Sequence, residues 1–523
     1  MEKTEDNNEI GVDLRFIVKS SFVFFLGILL MKIISYVYRI IIAREFGPEN
    51  YGLFSIGLMI AGWFMSLSAF GLNEGLNRYL PRFRGDKNIQ KIRHVFKFSI
   101  LFLIITSSIA GITLFSFAEI IATDIFDNVN LIIFLKFFSL LVPLVVVTHP
   151  FLALIRSYEK IQVYSFIFNI LQSIVKISFL FAFILIGWNS EAIIFSYLLG
   201  AFSVFLASYL YCKYKLPQAF NKATLERKEK KILNREFLSY SWPLLFSSVV
   251  ATMFYWVDTF LLGYFRGVIE VGVYNAALPI ALLLSMVPEL FILPLFPIIN
   301  REYANKRVHV IKDISRQVGK WILVLNLPVF IILILFPGAV INIIFGSEYL
   351  LASNALRILS VGMLFSSVFL LSQQLISMLG KSRFFPYNII FAIILNIILN
   401  YKFIPLDSVF GIDNSGGLVG AAMATLISTF FLNLLFIIQA KKYLDIIPLD
   451  GKAGRIIVVA IISAIFLYFL KSTIINGGII SLFLVAFLFL VIYISLIFVM
   501  KCLDEEDFMI LKAMRDKFLR KDY

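Results

Sequence analysis

The sequence predicts an all-α integral membrane protein with about fourteen transmembrane helices. Of its 523 residues, 60% are hydrophobic and only 15% are charged, and the mean hydropathy is +0.91. Soluble domains carry about 25% charged residues, so this chain has too few to cover a water-facing surface. Apolar runs of about 18 residues or more recur along the chain, each long enough to cross the hydrocarbon core as a helix. A transmembrane β-barrel would instead show short alternating segments, which the sequence lacks.

The apolar runs define the spans in chain order. The first run follows a short acidic stretch and is too long for the hydrophobic core of a cleavable signal peptide, so we expect it to remain as a span. The longest connection, 214–236, is rich in Lys and Glu and divides the chain near its middle. The predicted spans are 16–43, 52–80, 94–118, 131–155, 162–187, 191–213, 237–264, 272–298, 318–345, 351–379, 384–404, 416–440, 454–471 and 478–501.

Positive charge is concentrated in alternate loops. The basic loops are 82–93, 156–160, 222–235, 301–316, 381–383 and 441–455, whereas the intervening loops contain Arg44, Arg266, Lys402, Lys471 and few other cations. The positive-inside rule therefore predicts a protein of the cell membrane with both termini and the basic loops in the cytoplasm. This asymmetry accounts for the net charge of +14. No basic domain stands apart from the spans to bind nucleic acid, and we expect the basic loops to contact membrane lipid headgroups.

The sequence contains no pattern typical of an enzyme. The two cysteines, Cys212 and Cys502, are far apart, which excludes a disulfide framework and a cysteine metal site. Neither a Ser-His-Asp set nor a metal-ligand cluster is visible. The largest hydrophilic segment is also too short for a catalytic domain. We therefore predict a protein that is not an enzyme and that needs no cofactor or metal.

The two halves of the chain resemble each other at an offset of about 220 residues. The run 38–47 matches 257–266, and each run is followed within six residues by a glycine, Gly52 and Gly272. Coincidence between apolar helices is the alternative, but the matched residues are polar and the offset is constant. Because six spans separate repeat mates, both halves have the same topology, which predicts an axis along the membrane normal. The expected domains are an N-terminal six-helix lobe (1–213), a cytoplasmic linker (214–236), a C-terminal six-helix lobe (237–440), and two extra transmembrane helices with a cytoplasmic tail (441–523).

Two segments resemble a known family of transporters. Phe403-Ile404-Pro405 followed by Gly417 to Thr425, and the run from Arg44 to Phe54, are similar to motifs of the polysaccharide-repeat-unit flippases. These belong to the multidrug/oligosaccharidyl-lipid/polysaccharide exporter superfamily, and the resemblance covers about residues 15–440. The small residues of the first motif let a helix start close to its neighbours, so the motif itself is structural.

The resemblance implies a flippase that moves a lipid-linked oligosaccharide, carried on a polyprenyl phosphate or pyrophosphate, between leaflets by alternating access. Glycan-assembly enzymes would be its partners in the biosynthesis of a cell-surface polysaccharide. A cation-coupled multidrug exporter of the same superfamily is one alternative, which fourteen spans disfavour because such exporters typically have twelve. A membrane glycosyltransferase or polymerase is another, which the short outer loops disfavour.

Cations within the predicted spans are the candidate substrate-binding residues. Each costs about 2.5–3.5 kcal/mol to insert, so each needs a reason to be there. Lys32 and Arg39 share one face of the first span, Lys176 ends a polar stripe on the fifth, and Lys136 and Arg357 are repeat mates. A cationic cavity would replace the hydration of a phosphate with charge-assisted hydrogen bonds. Alternatively, each cation extends to the interface or pairs internally.

Three acids are candidates for a gate or for ion coupling. Asp258, on the seventh span, is the repeat mate of Arg39, and we expect the two to form an ion pair when the cavity is closed to the outside. Glu74 precedes Arg78 by four residues, a spacing that favours an internal pair. Glu289 follows a proline that is expected to bend the eighth span. Each of the three acids could also bind a coupling cation or proton.

Overall fold

A computed structural model of the chain describes residues 2–378, 384–449, 451–503 and 507, with side chains described except those of 2–33, 290, 293–294 and 471–483. The described part is almost entirely helical. The helices are α1 Glu2–Ser68, α2 Leu72–Gly85, α3 Ile89–Ile120, α4 Leu131–Phe138, α5 Leu141–Ser157, α6 Ile161–Ser165, α7 Gln172–Ile186, α8 Ser190–Lys215, α9 Arg227–Phe265, α10 Val268–Ala281, α11 Met286–Ala304, α12 Val308–Leu335, α13 Pro337–Ile344, α14 Ser353–Met378, α15 Phe384–Phe403, α16 Leu418–Leu444, α17 Lys452–Phe469 and α18 Lys471–Val499. One short hairpin pairs β1 (Ser408–Val409) with β2 (Ile412–Asp413) in antiparallel register.

The predicted all-α membrane fold is confirmed, but the number of fourteen spans is not. Among the described residues, twelve helical segments are long and apolar enough to cross a membrane. One difference lies at Gly47, where the backbone is non-helical (φ 76°, ψ 177°), although Ile34–Ser68 forms one segment around it. A positive φ of this size favours glycine, which has no Cβ to clash. The other difference lies in α18. Its side chains are described only from Leu484 onward, and the apolar segment Leu484–Val499 is too short to be counted as a span.

The charged segment between the two halves is partly helical. We expected a linker over 214–236, but α9 begins at Arg227, so residues 227–236 of that segment are the first part of a 39-residue helix. Its sequence, Arg-Lys-Glu-Lys-Lys, consists of good helix formers. The N-terminal lobe is hereafter α1–α8, and the C-terminal lobe is α9–α16.

The two lobes meet through a symmetric pair of glycines. A Cβ on Gly52 of α1 would lie 2.0 Å from the carbonyl oxygen of Val268, and a Cβ on Gly272 of α10 would lie 2.0 Å from that of Pro48. Pro48 and Val268 are 220 residues apart, as are the two glycines. The contact therefore has the two-fold symmetry that the internal repeat predicts, and only residues without a side chain fit it.

The lobes are closed against each other on the side that carries these glycines. Arg44 Nε donates to the carbonyl oxygen of Ile344 at 2.8 Å, and Tyr349 Oη donates to that of Ala43 at 2.9 Å. We call this the glycine side. The loops rich in Lys and Arg lie at the other end of the helices, hereafter the basic side.

On the basic side, α2 packs closely against α9. A Cβ on Gly71 would lie 2.2 Å from the carbonyl oxygen of Ser241, and one on Gly75 would lie 2.3 Å from the Ser241 hydroxyl. The rings of Tyr79 and Phe237 meet edge to face at 5.6 Å. Helix α2 thus belongs to the N-terminal lobe but contacts the C-terminal lobe along one face.

The two helices that follow the C-terminal lobe pack against α12. Tyr493 Oη donates to the carbonyl oxygen of Val324 at 3.0 Å. Beyond α18, the buried carboxylate of Asp507 forms an ion pair of 2.6 Å with the buried Lys320 and accepts a hydrogen bond of 2.7 Å from Trp321. Helices α17 and α18 are therefore attached to the same helix by both apolar and ionic contacts.

We expect Gly272→Ala to destabilise the protein by about 1–3 kcal/mol, because the added methyl group overlaps the Pro48 carbonyl and forces the helices apart. The measurement is the thermal unfolding midpoint of the purified protein in detergent. Gly62→Ala, in α1, is the matched control, since nothing lies within 4 Å of its Cβ position. Equal midpoints for the two variants would show that the glycine contact is loose.

Candidate functional site

Arg39 lies where the two lobes face each other. It projects from α1 as a partly buried side chain, and the Tyr51 hydroxyl is one of its electrostatic neighbours. The hydroxyls of Tyr255, on α9, and Tyr197, on α8, are its other electrostatic neighbours. Tyr36, one turn earlier on α1, is close to both Arg39 and Tyr255. The guanidinium is therefore surrounded by phenol groups from both lobes.

Lys176 is buried behind this group. Its Nζ lies 4.9 Å from the centroid of the Tyr38 ring and 5.6 Å from that of Tyr197, distances typical of cation–π contacts. Tyr38 is fixed by its hydroxyl, which donates to the carbonyl oxygen of Ile193 at 2.9 Å. Gly200 allows α8 to pack close to α7, since a Cβ at this position would lie 3.0 Å from the Cβ of Lys176.

Arg39 and Lys176 are electrostatic neighbours. Within the described residues, neither cation forms an ion pair with a carboxylate. Two like charges in a poorly hydrated site repel each other, and an anion between or beside them would relieve that repulsion. The tyrosine-lined pair is therefore suited to bind a phosphate or another compact anion.

Of the other predicted cations, Lys136 and Arg357 do not join this pair. Lys136 lines an open pocket of about 650 Å³ beside Glu49 and Glu191. Arg357 is exposed and donates to the carbonyl oxygen of Ile334 at 3.1 Å, a local contact. Lys32 belongs to residues 2–33, whose side chains lie outside those the structure describes.

Asp258 is buried within the C-terminal lobe. One carboxylate oxygen accepts hydrogen bonds from Tyr274 at 3.1 Å and from Thr425, and the other accepts one from Asn400 at 2.7 Å. Asp258 and Arg39 form no ion pair in the described residues, although the lobes are closed on the glycine side. The expected pairing is absent because α9 turns Asp258 toward α10, α15 and α16 rather than toward α1.

The group around Asp258 is rich in oxygen atoms. Asn396 Oδ1 accepts from Asn400 Nδ2 at 2.9 Å. The other side-chain atom of this amide, Asn400 Oδ1, is buried and has no hydrogen-bond partner among the described residues. A buried polar atom of this kind usually has an unseen partner, such as an ion or a water. Carboxylate, amide and hydroxyl oxygens are ligands of hard cations. Sequence reasoning missed Asn396 and Asn400, although their spacing of four in an apolar helix marks a polar stripe.

The two remaining acids, Glu74 and Glu289, are both exposed. Glu74 is exposed and forms no ion pair with Arg78 among the described residues, because the Arg78 guanidinium lies 4.2 Å from the centroid of the Tyr240 ring. Glu289 is exposed on α11 and is an electrostatic neighbour of Tyr36, across the interface between the lobes.

The predicted bend of the eighth span is a short 3₁₀ turn, Leu282–Ser285, between α10 and α11. Pro288 has no N–H for the carbonyl of Leu284, four residues earlier. Asn326 Nδ2 donates to that carbonyl instead, at 2.9 Å. The bend changes the direction of the helix that carries Glu289.

The second sequence motif packs the end of α15 against the start of α16. The Asn414 side chain donates to the carbonyl oxygen of Phe403 at 2.9 Å and accepts from the N–H of Gly420 at 2.7 Å. A Cβ on Gly420 would lie 2.6 Å from the Phe403 carbonyl. The motif is thus structural, and it holds the two helices that carry Asn400 and Thr425 at a fixed distance.

A two-lobed bundle of membrane helices with a polar site between the lobes defines the class of polytopic membrane transporters. A sequence model of the family described as "Polysaccharide biosynthesis protein" matches residues 17–302, more than half of the chain. The chain therefore belongs to the polysaccharide biosynthesis protein family. The MatE family model also matches, over residues 243–402.

Relatives and solved structures agree with this assignment. An uncharacterized membrane protein of Methanocaldococcus jannaschii is 25% identical over 90% of this chain and 93% of its own. The lipid II flippase MurJ of Bacillus subtilis is 21% identical over 75% of this chain and 78% of its own.

Two solved structures share the fold. An inward closed conformation of the lipid II flippase MurJ matches with a TM-score of 0.68 and 16% identity, over 91% of this chain and 99% of its own. An inward-facing multidrug resistance MATE family transporter of the MOP superfamily matches with a TM-score of 0.63 and 14% identity, over 79% and 94%. At these identities the matches establish the fold.

We expect inorganic pyrophosphate to raise the unfolding midpoint of the purified protein, because it neutralises Arg39 and Lys176. Arg39→Gln should weaken the apparent affinity about tenfold or more, as one charge-assisted hydrogen bond is lost. Arg357→Gln is the matched control, with the same change of charge at an exposed position. If both variants respond like the unmodified protein, the anion does not bind at Arg39.

Proposed function

We propose that the protein is a flippase for a lipid-linked oligosaccharide, carried on a polyprenyl phosphate or pyrophosphate. The observation that carries this proposal is the Arg39–Lys176 pair, two cations at the interface between the lobes with no carboxylate partner among the described residues. Membership of the polysaccharide biosynthesis family and similarity to a protein named as a lipid II flippase support the same substrate class.

The chemistry of the site suits both parts of such a substrate. A phosphate is too strongly hydrated to cross hydrocarbon unaided, and Arg39 offers a planar set of N–H donors in place of water. The surrounding tyrosines present flat apolar faces and hydroxyls, to which a sugar ring can stack and hydrogen-bond. The site binds and releases its substrate without changing its bonds, so the protein acts as a carrier and not as an enzyme.

The charges of the loops favour one orientation of the protein in the membrane. We place the basic side in the cytoplasm, with both termini, and the glycine side outside the cell membrane. The closed contacts of Gly52 and Gly272 then form the outer barrier. Opening of this barrier and of the α2–α9 contact on the basic side, in turn, would expose Arg39 alternately to the two leaflets.

We assign Asp258 to ion coupling. A monovalent cation or a proton could be held by the carboxylate together with the oxygens of Asn400, Asn396 and Thr425. The unpartnered Asn400 Oδ1 supports a bound cation. Helix α9 carries both Asp258 and Tyr255. Occupancy of the Asp258 site would therefore shift the equilibrium between conformations of the helix that borders Arg39.

Multidrug export is the second candidate function. The match of the MatE family model to residues 243–402, which include Asp258, Asn396 and Asn400, favours it. Cationic drugs would be repelled by Arg39 and Lys176, whereas an anionic lipid carrier would be attracted. Resistance to cationic dyes upon expression would therefore count for the exporter and against the flippase.

The test of the flippase proposal is a leaflet-accessibility assay. In proteoliposomes loaded with a polyprenyl-diphosphate oligosaccharide, the unmodified protein should move the labelled sugar to the outer leaflet, where a membrane-impermeant hydrolase cleaves it. Arg39→Gln and Lys176→Gln should reduce the rate about tenfold or more, while Arg357→Gln should retain it. Absence of movement with the correctly folded protein would exclude this class of substrate.

For the coupling site, we expect Asp258→Asn to abolish the dependence of transport on sodium or on a proton gradient. The amide has the same shape but lacks the charge that attracts a cation. Asp407→Asn, an exposed position in the α15–α16 connection, is the control. Unchanged ion dependence in Asp258→Asn would assign coupling to another group.

A further inference from the structure

A second polar pocket lies inside the N-terminal lobe, away from the interface between the lobes. It has a volume of about 50 Å³, and three helical segments contribute to its walls. The pocket is lined by Asn73 and Asn77 of α2, by His149, Leu152, Ala153 and Arg156 of α5, and by Tyr164 and Phe168. Each set has helical spacing, so one face of each segment is turned toward the same point.

The amide and imidazole groups of this pocket lack protein partners. Asn73 Oδ1 is buried and accepts no hydrogen bond. Within the described residues, the side chains of Asn77 and His149 make none either. A polar atom enclosed by protein is almost always hydrogen-bonded, so the buried Asn73 Oδ1 indicates a bound molecule, and the partly exposed side chains of Asn77 and His149 lie beside it.

Arg156 gives the pocket its charge. Its guanidinium lies 4.6 Å from the centroid of the Tyr164 ring, and Nη2 donates to the Tyr164 hydroxyl at 3.1 Å. Tyr164 in turn stacks on Phe168 with 5.8 Å between centroids. A guanidinium has five N–H donors, and this contact uses one of them. The nearby Asn and His side chains can add further donors, a combination that suits a phosphate group.

The depth of the pocket indicates where such a phosphate would come from. Arg156 is one residue from the end of the apolar segment Leu131–Ser157, and Tyr164 is close to the start of Ile161–Ile186. Both are thus at the level of the lipid headgroups on the basic side. Phe166 and Phe168 are 50% and 36% exposed, and they provide an apolar surface beside the polar one.

We propose that this pocket binds the phosphate of an anionic ligand, with a membrane phospholipid as the source that its depth favours. Helix α2 lines the pocket with Asn73 and Asn77 and contacts α9 with Gly71 and Gly75. A ligand held between α2 and α5 therefore stabilises the packing of the lobes on the basic side. This site is independent of the substrate site at Arg39.

The experiment measures binding of two probes, dioctanoyl phosphatidylglycerol and inorganic phosphate, to the purified full-length protein by native mass spectrometry. Arg156→Gln and the isosteric Asn77→Asp should each weaken binding of the lipid about tenfold or more, since one removes a cation and the other adds an anion. Lys97→Gln is the matched control for charge, on an exposed face of α3, and should stay within about twofold.

The outcomes separate the sources of the phosphate. Retention of the lipid in the presence of millimolar inorganic phosphate supports a lipid site. Displacement by inorganic phosphate, lost in both variants, supports a site for the free anion. Unchanged lipid affinity in Arg156→Gln and Asn77→Asp, or no binding of either probe, would show that the pocket holds water only and would overturn the proposal.

Discussion

The hydrocarbon interior offers no water to a polar group, and this constraint organises the molecule. Most polar side chains between the helices have a specific partner. Asn414 bonds the backbone at both ends of a helix junction, and Asn326 bonds a carbonyl that Pro288 leaves free. The groups without such partners then become informative. Among the described residues, such groups include the Arg39–Lys176 pair, which has no carboxylate partner, and the buried oxygens Asn400 Oδ1 and Asn73 Oδ1, and at these three places we infer a bound ligand.

The backbone of the two lobes is symmetric where they meet, but their chemistry is not. Gly52 and Gly272 make the same contact with the opposite lobe. By contrast, the N-terminal lobe presents Arg39 and Lys176, while the corresponding part of the C-terminal lobe contains Asp258, turned inward. A transporter that must bind an anion and respond to a cation needs sites of opposite charge. The repeated fold supplies two equivalent frames in which these sites remain apart.

Apolar run length, the repeat and two motifs were enough to predict the fold class and the family. The orientation of a side chain around its helix was harder to predict. Asp258 was expected to meet its repeat mate Arg39, but its direction depends on Asn400 and Thr425, which are more than 140 residues away in the chain. The number of spans differs from the prediction in part for a local reason, because the helical segment Ile34–Ser68 continues through the change of direction at Gly47.

The same limit applies to the pocket around Arg156. Its walls come from α2, α5 and the segment after α5, and none of these carries a recognisable motif. His149 lies in the largely apolar run 140–155, which gives no sign of a polar pocket. Only the three-dimensional arrangement shows that its side chain and two amides share a space with a cation.

The ion pair between Lys320 and Asp507 joins residues 187 positions apart. During synthesis, α12 enters the membrane long before the ribosome reaches Asp507. The contact between α12 and Asp507 can therefore form only after α17 and α18 have been synthesised and inserted. Final folding of this transporter is thus a post-insertion step. A protein truncated before Asp507 would be inserted with Lys320 in its core but without this carboxylate.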